Sequence, residues 1–265
     1  MLNILFLGDV VGKIGRRALA QALPGLRQQH GADLVIVNGE NSAHGNGITA
    51  STYAELRAAG ADVITLGDHA FDRQEAGLLL DTESAHLVRP ANYPPHLPGV
   101  GATIAPVGTR EILVVNLLGR VFMKHHYDDP FRAIDAILAQ YQSRKFAAVV
   151  IDFHAEATSE KMAFAWHVDG RVAAVVGTHT HVPTADTRLL PGGTAAVSDL
   201  GMVGARDSVI GVQRAASLKL FRNATSELLE PVESGACVIG AVLVTVDPGT
   251  GRARDIQRVD TVVEV

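Results

Sequence analysis

Carboxylate, amide and imidazole side chains are concentrated in five short polar clusters, each of which follows an apolar run. The clusters are Gly8-Asp9, Asn38 to Asn41, Gly67 to His69, Asp152 to His154 and Gly177 to His181. Most strands end in turns that carry no such chemistry. Because open α/β sheets build their sites at the carboxyl ends of their strands, we expect the five clusters to meet at one edge of a sheet.

The side chains of these clusters are ligands for hard and borderline divalent metals such as Mn, Fe, Zn or Mg. The expected oxygen and nitrogen donors are Asp9, Glu40, Asn41, Asp68, His154, His179 and His181. One ion seldom takes seven protein ligands, whereas two ions that share a bridging carboxylate use them all. The negative charge of three carboxylates does not fully neutralise two divalent cations. The filled site would therefore keep a small positive charge, which favours an anionic substrate. Paired ions clamp the attacking and leaving oxygens of a phosphoryl transfer.

Each cluster has an ordinary alternative when it is taken alone. Gly8-Asp9 and Asn38 to Asn41 are compatible with plain turns, and His154 with a structural histidine whose hydrogen bonds are satisfied. The His-x-His spacing of His179 and His181 is often incidental. All five clusters follow predicted strands, and this recurrence favours one metal site over five separate ordinary explanations.

Six apolar runs predict β-strands. They are Leu2 to Leu7, Leu34 to Val37, Val63 to Leu66, Ile112 to Leu118, Ala147 to Phe153 and Val172 to Val176. Most are continuous and rich in Val and Ile, which is typical of strands covered on both faces. Helices are predicted over 14–30, where Pro24 should kink or end the helix, over 49–59 and over 129–141. This alternation predicts an α/β fold with a largely parallel sheet.

The remaining segments predict a loop-rich stretch over 86–110, which contains five prolines, and a C-terminal β-hairpin. The hairpin strands are Cys237 to Val246 and Ala253 to Val263, with Asp-Pro-Gly between them. The clusters extend from Asp9 to His181, so a domain boundary before His181 would divide the site. We therefore expect one domain over residues 1–265.

Composition excludes several classes of protein. Hydrophobic residues make up 47% and charged residues 19% of the 265 residues, which excludes a disordered chain. The net charge of −5 argues against binding to duplex nucleic acid. Cys237 is the single cysteine and is expected to be a small buried hydrophobe in a reducing compartment. With no basic leader and no run of about 18 apolar residues, we expect a cytoplasmic protein without a membrane span.

A P-loop is a rival interpretation of Gly8 to Lys13, which reads Gly-Asp-Val-Val-Gly-Lys. The P-loop needs four residues between its glycines and a Ser or Thr after the Lys. Here three residues separate the glycines and Ile14 follows Lys13. The sequence therefore excludes a P-loop.

The ordered blocks resemble the calcineurin-like metallophosphoesterase superfamily and, more closely, its bacterial YmdB-like branch, whose members are regarded as phosphodiesterases acting on 2′,3′-cyclic nucleotides. The matching blocks are Phe6 to Gly12, Val37 to Ala43, Arg89 to Pro94, Asp152 to Lys161, Val175 to Val182 and Asp207 to Gly211. The resemblance covers nearly the whole chain. It implies a metallophosphoesterase-like α/β sandwich.

The resemblance also implies a role for each site residue. The first metal would be held by Asp9, Glu40, Asn41 and His181, and the second by Glu40, Asp68, His154 and His179. Glu40 would bridge the two ions, and His69 would donate a proton to the leaving oxygen. The family pattern is Gly-Asn-His where this chain has Gly67-Asp68-His69, which adds a negative charge beside the second metal.

The implied reaction is attack of a metal-activated hydroxide on a small phosphodiester such as a cyclic nucleotide. The implied cofactors are two divalent or mixed-valence ions, Fe or Mn, with Zn or Mg as alternatives. A catalytically weak regulatory or ligand-sensing protein that keeps the metal site, and a phosphomonoesterase, are the other functions left open. The number of subunits, including a homo-oligomer, is also left open.

Several neighbouring residues have supporting roles in this hypothesis. Asp72 either orients the His69 ring or begins a helix. Glu156 and Thr158 closely follow His154 and either hydrogen-bond to the metal ligands or occupy simple solvated positions. Gly201 and Gly204 form either a flexible loop over the substrate or ordinary turns. Residues that could contact base or phosphate are His44, Asn92, Arg120, His125 and His126.

Overall fold

The computed structural model describes residues 1–124, 127–224 and 227–265. These residues form six helices, which are α1 (Gly12–His30), α2 (Ala50–Ala59), α3 (Ala76–Thr82), α4 (Pro130–Gln140), α5 (Thr158–His167) and α6 (Arg214–Asn223). The strands of the same residues are β1 (Leu2–Leu7), β2 (Asp9–Val10), β3 (Leu34–Asn38), β4 (Val63–Thr65), β5 (Leu87–Val88), β6 (Ala102–Val107), β7 (Arg110–Leu118), β8 (Ala148–His154), β9 (Ala174–Thr178), β10 (Arg188–Leu189), β11 (Ala195–Val197), β12 (Met202–Ala205), β13 (Ala236–Ile239), β14 (Ala241–Asp247), β15 (Arg252–Arg258) and β16 (Thr261–Glu264).

Two mixed six-stranded sheets form the centre of the fold. Their strand orders are β15-β14-β1-β3-β4-β5 and β10-β11-β9-β8-β7-β6. The interior pairings β1–β3, β3–β4, β7–β8 and β8–β9 are parallel, whereas the outer strands β14, β15, β6 and β10 pair antiparallel. A small third sheet has the order β16-β13-β12-β2. The predicted α/β sandwich with largely parallel strands is confirmed, and its parallel strands are divided between two sheets rather than gathered in one.

The sheets are covered on both faces, as their continuous apolar sequences predicted. In β1, Phe6 packs into the apolar layer between the two sheets, while Leu7 packs toward α1 and α2. In β7, Val114 faces the same inner layer, and Val115 packs toward α4 and α5. Burial of such side chains contributes about 1.5–3 kcal/mol each, so both faces stabilise the strands. The resulting order of layers is helix, sheet, sheet, helix.

Three helices were predicted close to their observed bounds. Thr49 caps α2 through a reciprocal pair of hydrogen bonds with Thr52, at 3.2 and 3.0 Å. Asp129 caps α4, and Pro130 takes its first turn, where a missing N–H costs nothing. The helix α1 continues through Pro24 to His30, so of the two effects predicted for Pro24, an end of the helix is wrong. Gly31 ends α1 with a φ of 55°, as predicted.

Other segments were missed or misplaced. The stretch 86–110 contains β6, which pairs antiparallel with β7. The run predicted from Cys237 to Val246 breaks at Gly240, where β13 of the third sheet gives way to β14 of the first. The run predicted from Ala253 to Val263 also divides, because β15 ends at Arg258 and β16 joins the third sheet. The terminal hairpin is therefore β14–β15, closed by a bond from the Gly251 N–H to the Asp247 carbonyl at 2.8 Å. Cys237 is fully buried, as predicted.

None of the helices in the described ranges combines the length and the apolar character that a membrane crossing requires.

Candidate metal centre

Five strand ends from both central sheets converge on one site. Asp9 follows β1, Glu40 follows β3, Asp68 follows β4, His154 ends β8 and His179 follows β9. The sheets are joined there by a hydrogen bond from the His179 N–H to Asp9 Oδ2 at 3.2 Å. The expected meeting of the five clusters is thus observed, but it lies across two facing sheets and not along one edge of a single sheet.

Four of the predicted ligands form one compact group. Glu40, Asp68, His154 and His179 each offer one donor atom, and these atoms lie within 4.8 Å of one another. Glu40 Oε1 lies 3.0 Å from His154 Nε2, and Asp68 Oδ1 lies 3.3 Å from the same nitrogen. Asp68 Oδ1 is also 3.4 Å from His179 Nδ1. Donors that arrive from four separate segments and meet this closely suit a divalent cation.

A second group contains the other three predicted ligands. His181 Nε2 lies 3.3 Å from Asn41 Oδ1 and 3.9 Å from Asp9 Oδ1. The Asn41 amide is oriented by donation to the Gly45 carbonyl at 2.9 Å, so its oxygen faces His181. His181 Nδ1 donates to the Ile210 carbonyl at 2.8 Å, which leaves a lone pair on Nε2. Two acceptors therefore face each other, an arrangement that a cation between them would stabilise.

Asp9 gives the clearest indication that a cation fits this site. Its side chain is fully buried, and its Oδ1 atom has no hydrogen-bond donor among the described residues. Burial raises the pKa of Asp9, although His181 and His154 favour its charged form. A buried carboxylate oxygen without a donor is costly unless a cation contacts it. The residues present therefore fit a bound metal.

The acid-base balance of the group around His154 supports the same conclusion. Burial opposes a charge on His154, but Glu40 and Asp68 hold the pKa of His154 well above its ordinary value. Burial likewise opposes ionisation of Asp68, yet bonds to His154 and His179 hold the pKa of that carboxyl below its usual range. The group thus favours positive charge at its centre, which either a proton or a metal ion supplies.

A buried polar network contacts the Nδ1 side of the His154 ring. Thr178 Oγ1 donates to Asp152 Oδ1 at 2.7 Å, so it accepts from His154 Nδ1 at 2.8 Å. Asn38 Nδ2 donates to Asp152 Oδ2 at 3.1 Å. Burial raises the pKa of Asp152 to about 6. The network holds Nδ1 as the donor to Thr178, so Nε2 is the ring nitrogen directed at Glu40 and is the atom that would bind a metal, as is usual for metal-binding histidines.

No role for Asp152 or Thr178 was predicted from the sequence. A signal for Asp152 was present, because residues two apart on a strand share a face, and Asp152 precedes His154 by two. No such spacing points to Thr178, which reaches the network by the pairing of β8 with β9.

His69 lies at the edge of the site. Its Nδ1 is 2.7 Å from Asp72 Oδ2, and its backbone N–H donates to Glu40 Oε2 at 3.2 Å. Burial lowers the pKa of His69, but Glu40, Asp68 and Asp72 outweigh burial and raise it. No helix of the described chain begins at Asp72, since α3 starts at Ala76. The helix-start interpretation of Asp72 is wrong, and the residue contacts the His69 ring.

The other residues predicted to support the site or to contact the substrate have different positions in the structure. Glu156 Oε2 lies 3.2 Å from His179 Nε2, whereas Thr158 begins α5. Asn92 is buried and bonds to backbone carbonyls of Leu118 and Asp128, so it has a structural role. Arg120 pairs with Asp129 at 3.2 Å.

Gly201 precedes β12 with a φ of 82° and Gly204 lies within that strand, so a flexible loop between them is wrong, and so is a turn at Gly204. His44 takes a φ of 56° in the turn after Asn41. His125 and His126 lie outside the described residues.

The helix–sheet–sheet–helix sandwich, with carboxylates, an amide and histidines gathered at its strand ends, has the metallophosphoesterase fold. The 5′-nucleotidase precursor of Thermus thermophilus shares this fold, with a TM-score of 0.58 at 13% identity over 99% of this chain and 54% of that chain. The family model described as YmdB-like protein matches residues 5–259. This chain belongs to the YmdB-like family, as its sequence blocks predicted.

Two relatives are similar over nearly their whole length. A Bacillus subtilis protein named 2′,3′-cyclic-nucleotide 2′-phosphodiesterase is 42% identical over 258 residues, which cover 97% of this chain and 96% of the relative. The crystal structure of a novel phosphatase from Mycoplasma pneumoniae has a TM-score of 0.91 at 35% identity, covering 99% of this chain and 94% of that one. The predicted class, a metal-binding hydrolase, is confirmed.

Proposed function

We propose that this protein hydrolyses 2′,3′-cyclic nucleotides as a dinuclear-metal phosphodiesterase. The observation that carries the proposal is the group of Glu40, Asp68, His154 and His179, whose donor atoms lie within 4.8 Å of one another beside the buried Asp9 oxygen. Asp9, Asn41 and His181 would hold one ion with Glu40. Asp68, His154 and His179 would hold the other with the same Glu40.

When bound, the two ions would act as Lewis acids toward the phosphodiester and the attacking water. Residues of the chain itself position the proton donor, His69. Glu40 fixes the position of His69 through the backbone bond at 3.2 Å, and Asp72 holds the ring by Nδ1. This leaves His69 Nε2 to donate the proton to the leaving oxygen. General acid catalysis of this kind contributes roughly 10²–10⁴-fold to a rate.

The substrate is proposed from the Bacillus subtilis relative, whose name states a 2′,3′-cyclic-nucleotide 2′-phosphodiesterase. The direct test incubates the purified, Mn²⁺-loaded protein with 2′,3′-cyclic AMP and separates the products by chromatography. We expect 3′-AMP to accumulate, because cleavage of the 2′ ester leaves the phosphate on the 3′ oxygen. Absence of turnover by the metal-loaded protein would instead support a regulatory or ligand-sensing role.

A phosphomonoesterase is the second candidate, favoured by the Mycoplasma pneumoniae relative, which is described as a phosphatase. Parallel assays with p-nitrophenyl phosphate and bis-p-nitrophenyl phosphate separate the two. A phosphodiesterase should cleave bis-p-nitrophenyl phosphate faster than p-nitrophenyl phosphate, which is the result we expect, whereas faster cleavage of the monoester would support a phosphomonoesterase.

Several further features are proposed on the same basis. The two ions are Fe or Mn, with Zn or Mg as alternatives. Residues 1–265 act as one domain, which is supported by pairing of the C-terminal strand β14 with β1 and of β12 with β2. The cytoplasmic location and the assembly of a homo-oligomer stay predictions.

A further inference from the structure

Lys161 and Asp199 form a buried ion pair close to the site. Lys161 Nζ lies 2.7 Å from Asp199 Oδ2, and the two side chains are only 4% and 1% exposed. A buried ion pair seldom adds net stability, because removing two charges from water offsets their attraction. Lys161 belongs to α5, and Asp199 lies between β11 and β12. Neither residue is a predicted ligand, so the pair requires another explanation.

The carboxylate of Asp199 holds the backbone between two predicted ligands. Its Oδ2 accepts both the Thr180 N–H at 3.1 Å and the Thr180 hydroxyl at 2.8 Å. Its Oδ1 accepts the Gly201 N–H at 2.8 Å. Thr180 is the residue between His179 and His181. One carboxylate therefore fastens the middle of the His-Thr-His segment to the start of β12.

This segment needs such an anchor because its backbone is strained. His179 has a φ of 101° and His181 a φ of 64°, a region that residues with a Cβ rarely adopt. Strained conformations persist at functional sites only where surrounding contacts determine them. In this conformation the His179 ring lies 3.4 Å from Asp68 and the His181 ring lies 3.3 Å from Asn41.

We propose that Lys161 and Asp199 are a positioning pair, which holds Thr180 and thereby aims His179 and His181 at the two metal positions. Lys161 keeps the buried carboxylate of Asp199 paired at 2.7 Å while that carboxylate holds Thr180. The proposal rests on the proposed function, since it assumes that the two histidines bind metal.

The test compares Asp199→Asn, Lys161→Met and Thr180→Val. The first measurement is the Mn²⁺ affinity of each variant by competition with a fluorescent chelator. We expect Asp199→Asn to lower this affinity about 10–100-fold, as the loss of residues that orient metal ligands does. Thr180→Val keeps the backbone bond and loses only the hydroxyl, so we expect a smaller loss. Lys161→Met should also weaken binding, because Asp199 loses its counter-charge.

The second measurement is hydrogen exchange over residues 178–182 in the metal-free protein, which does not depend on metal binding or turnover. We expect faster exchange in Asp199→Asn than in the unaltered chain. The double variant Lys161→Met/Asp199→Asn removes both charges together, so no buried charge is left unpaired and folding is protected. Its Mn²⁺ affinity should stay as low as that of Asp199→Asn, because the hydrogen bonds from the Asp199 carboxylate to Thr180 are still lost.

Asp169→Asn is the matched control. The Asp169 carboxylate also accepts two backbone N–H groups, from Gly192 at 2.8 Å and Thr194 at 3.3 Å, but it is not part of the predicted site. We expect its Mn²⁺ affinity to equal that of the unaltered chain. Unchanged affinity and unchanged exchange in Asp199→Asn would overturn the positioning role. If the unaltered chain binds no Mn²⁺, the proposed function fails. The hydrogen-exchange data alone then decide whether Asp199 holds Thr180.

Discussion

His154 donates its Nδ1 proton to the hydroxyl of Thr178 across 2.8 Å. The direction of this bond is fixed because Thr178 donates its own proton to Asp152 at 2.7 Å. The two residues come from adjacent parallel strands, β8 and β9, and both are fully buried. The bond leaves Nε2 of His154 directed at Glu40, 3.0 Å away, where it would bind a metal. A side chain that is not itself a ligand thus prepares a histidine for metal binding.

Substitution of Thr178 tests this relationship. Thr178→Val keeps the shape of the side chain but removes the acceptor for His154, so the imidazole can rotate or change its tautomer. We expect a loss of metal affinity of about 10–100-fold, measured by chelator competition. Thr103→Val is the matched control, since this buried hydroxyl donates only to the Ala85 carbonyl at 3.1 Å. It should cost about 1 kcal/mol of unfolding free energy and leave metal affinity unchanged. Equal affinities in both variants would contradict the role given to Thr178.

Gly67 leaves the space that the ligands occupy. A Cβ at this position would lie 2.2 Å from Glu40 Oε2 and 2.4 Å from His154 Nε2. Gly67→Ala must therefore displace one of the two, and we expect at least about a tenfold loss of metal affinity. Gly25→Ala is the control, because a Cβ there meets nothing within 4 Å. This change within α1 should stabilise the protein by about 0.5–1 kcal/mol in urea unfolding. Full metal binding by Gly67→Ala would show that the site is more open than described.

His69→Ala separates proton donation from metal binding. The bond that joins His69 to Glu40 comes from the backbone N–H, so the variant retains it. We expect unchanged metal content by elemental analysis and a turnover of 2′,3′-cyclic AMP lowered by roughly 10²–10⁴-fold. Asp72→Asn should lower turnover less, since the imidazole remains and only its orientation suffers. Loss of metal from His69→Ala would refute the assigned role.

Asp68 is where the chain departs from the family pattern. Its Oδ1 lies 3.3 and 3.4 Å from the two histidines of its group, distances that an amide oxygen also reaches. Asp68→Asn keeps an oxygen donor and removes one negative charge beside the second metal. We therefore expect preserved or higher turnover in the Mn²⁺-loaded protein. A collapse of activity would show that this site has adapted to the carboxylate.

The sequence predicted which polar residues meet at the strand ends, because side-chain chemistry and strand ends are both local signals. It did not predict that β1, β3 and β4 lie in one sheet while β8 and β9 lie in another, since nothing local distinguishes neighbours in a sheet from strands that face each other. The break at Gly240 was hidden for a related reason. A Cβ there would lie 2.4 Å from the Leu200 carbonyl oxygen, a contact distant in sequence.

The role of Asp199 was equally hidden. It acts on Thr180 from 19 residues away, and its partner Lys161 lies on a helix that the sequence analysis did not identify. A buried ion pair of this kind becomes visible only when burial and partners are known together. Charged residues are usually expected at the surface, so nothing in the sequence indicates that Lys161 and Asp199 are buried and paired.

The most direct test of the dinuclear centre is an anomalous diffraction map of crystals of the metal-loaded protein. We expect two peaks about 3.5–4 Å apart, one on each side of the Glu40 carboxylate. One peak should contact Asp9, Asn41 and His181, and the other Asp68, His154 and His179. A single peak, or peaks remote from Glu40, would contradict the dinuclear centre on which the proposed function rests.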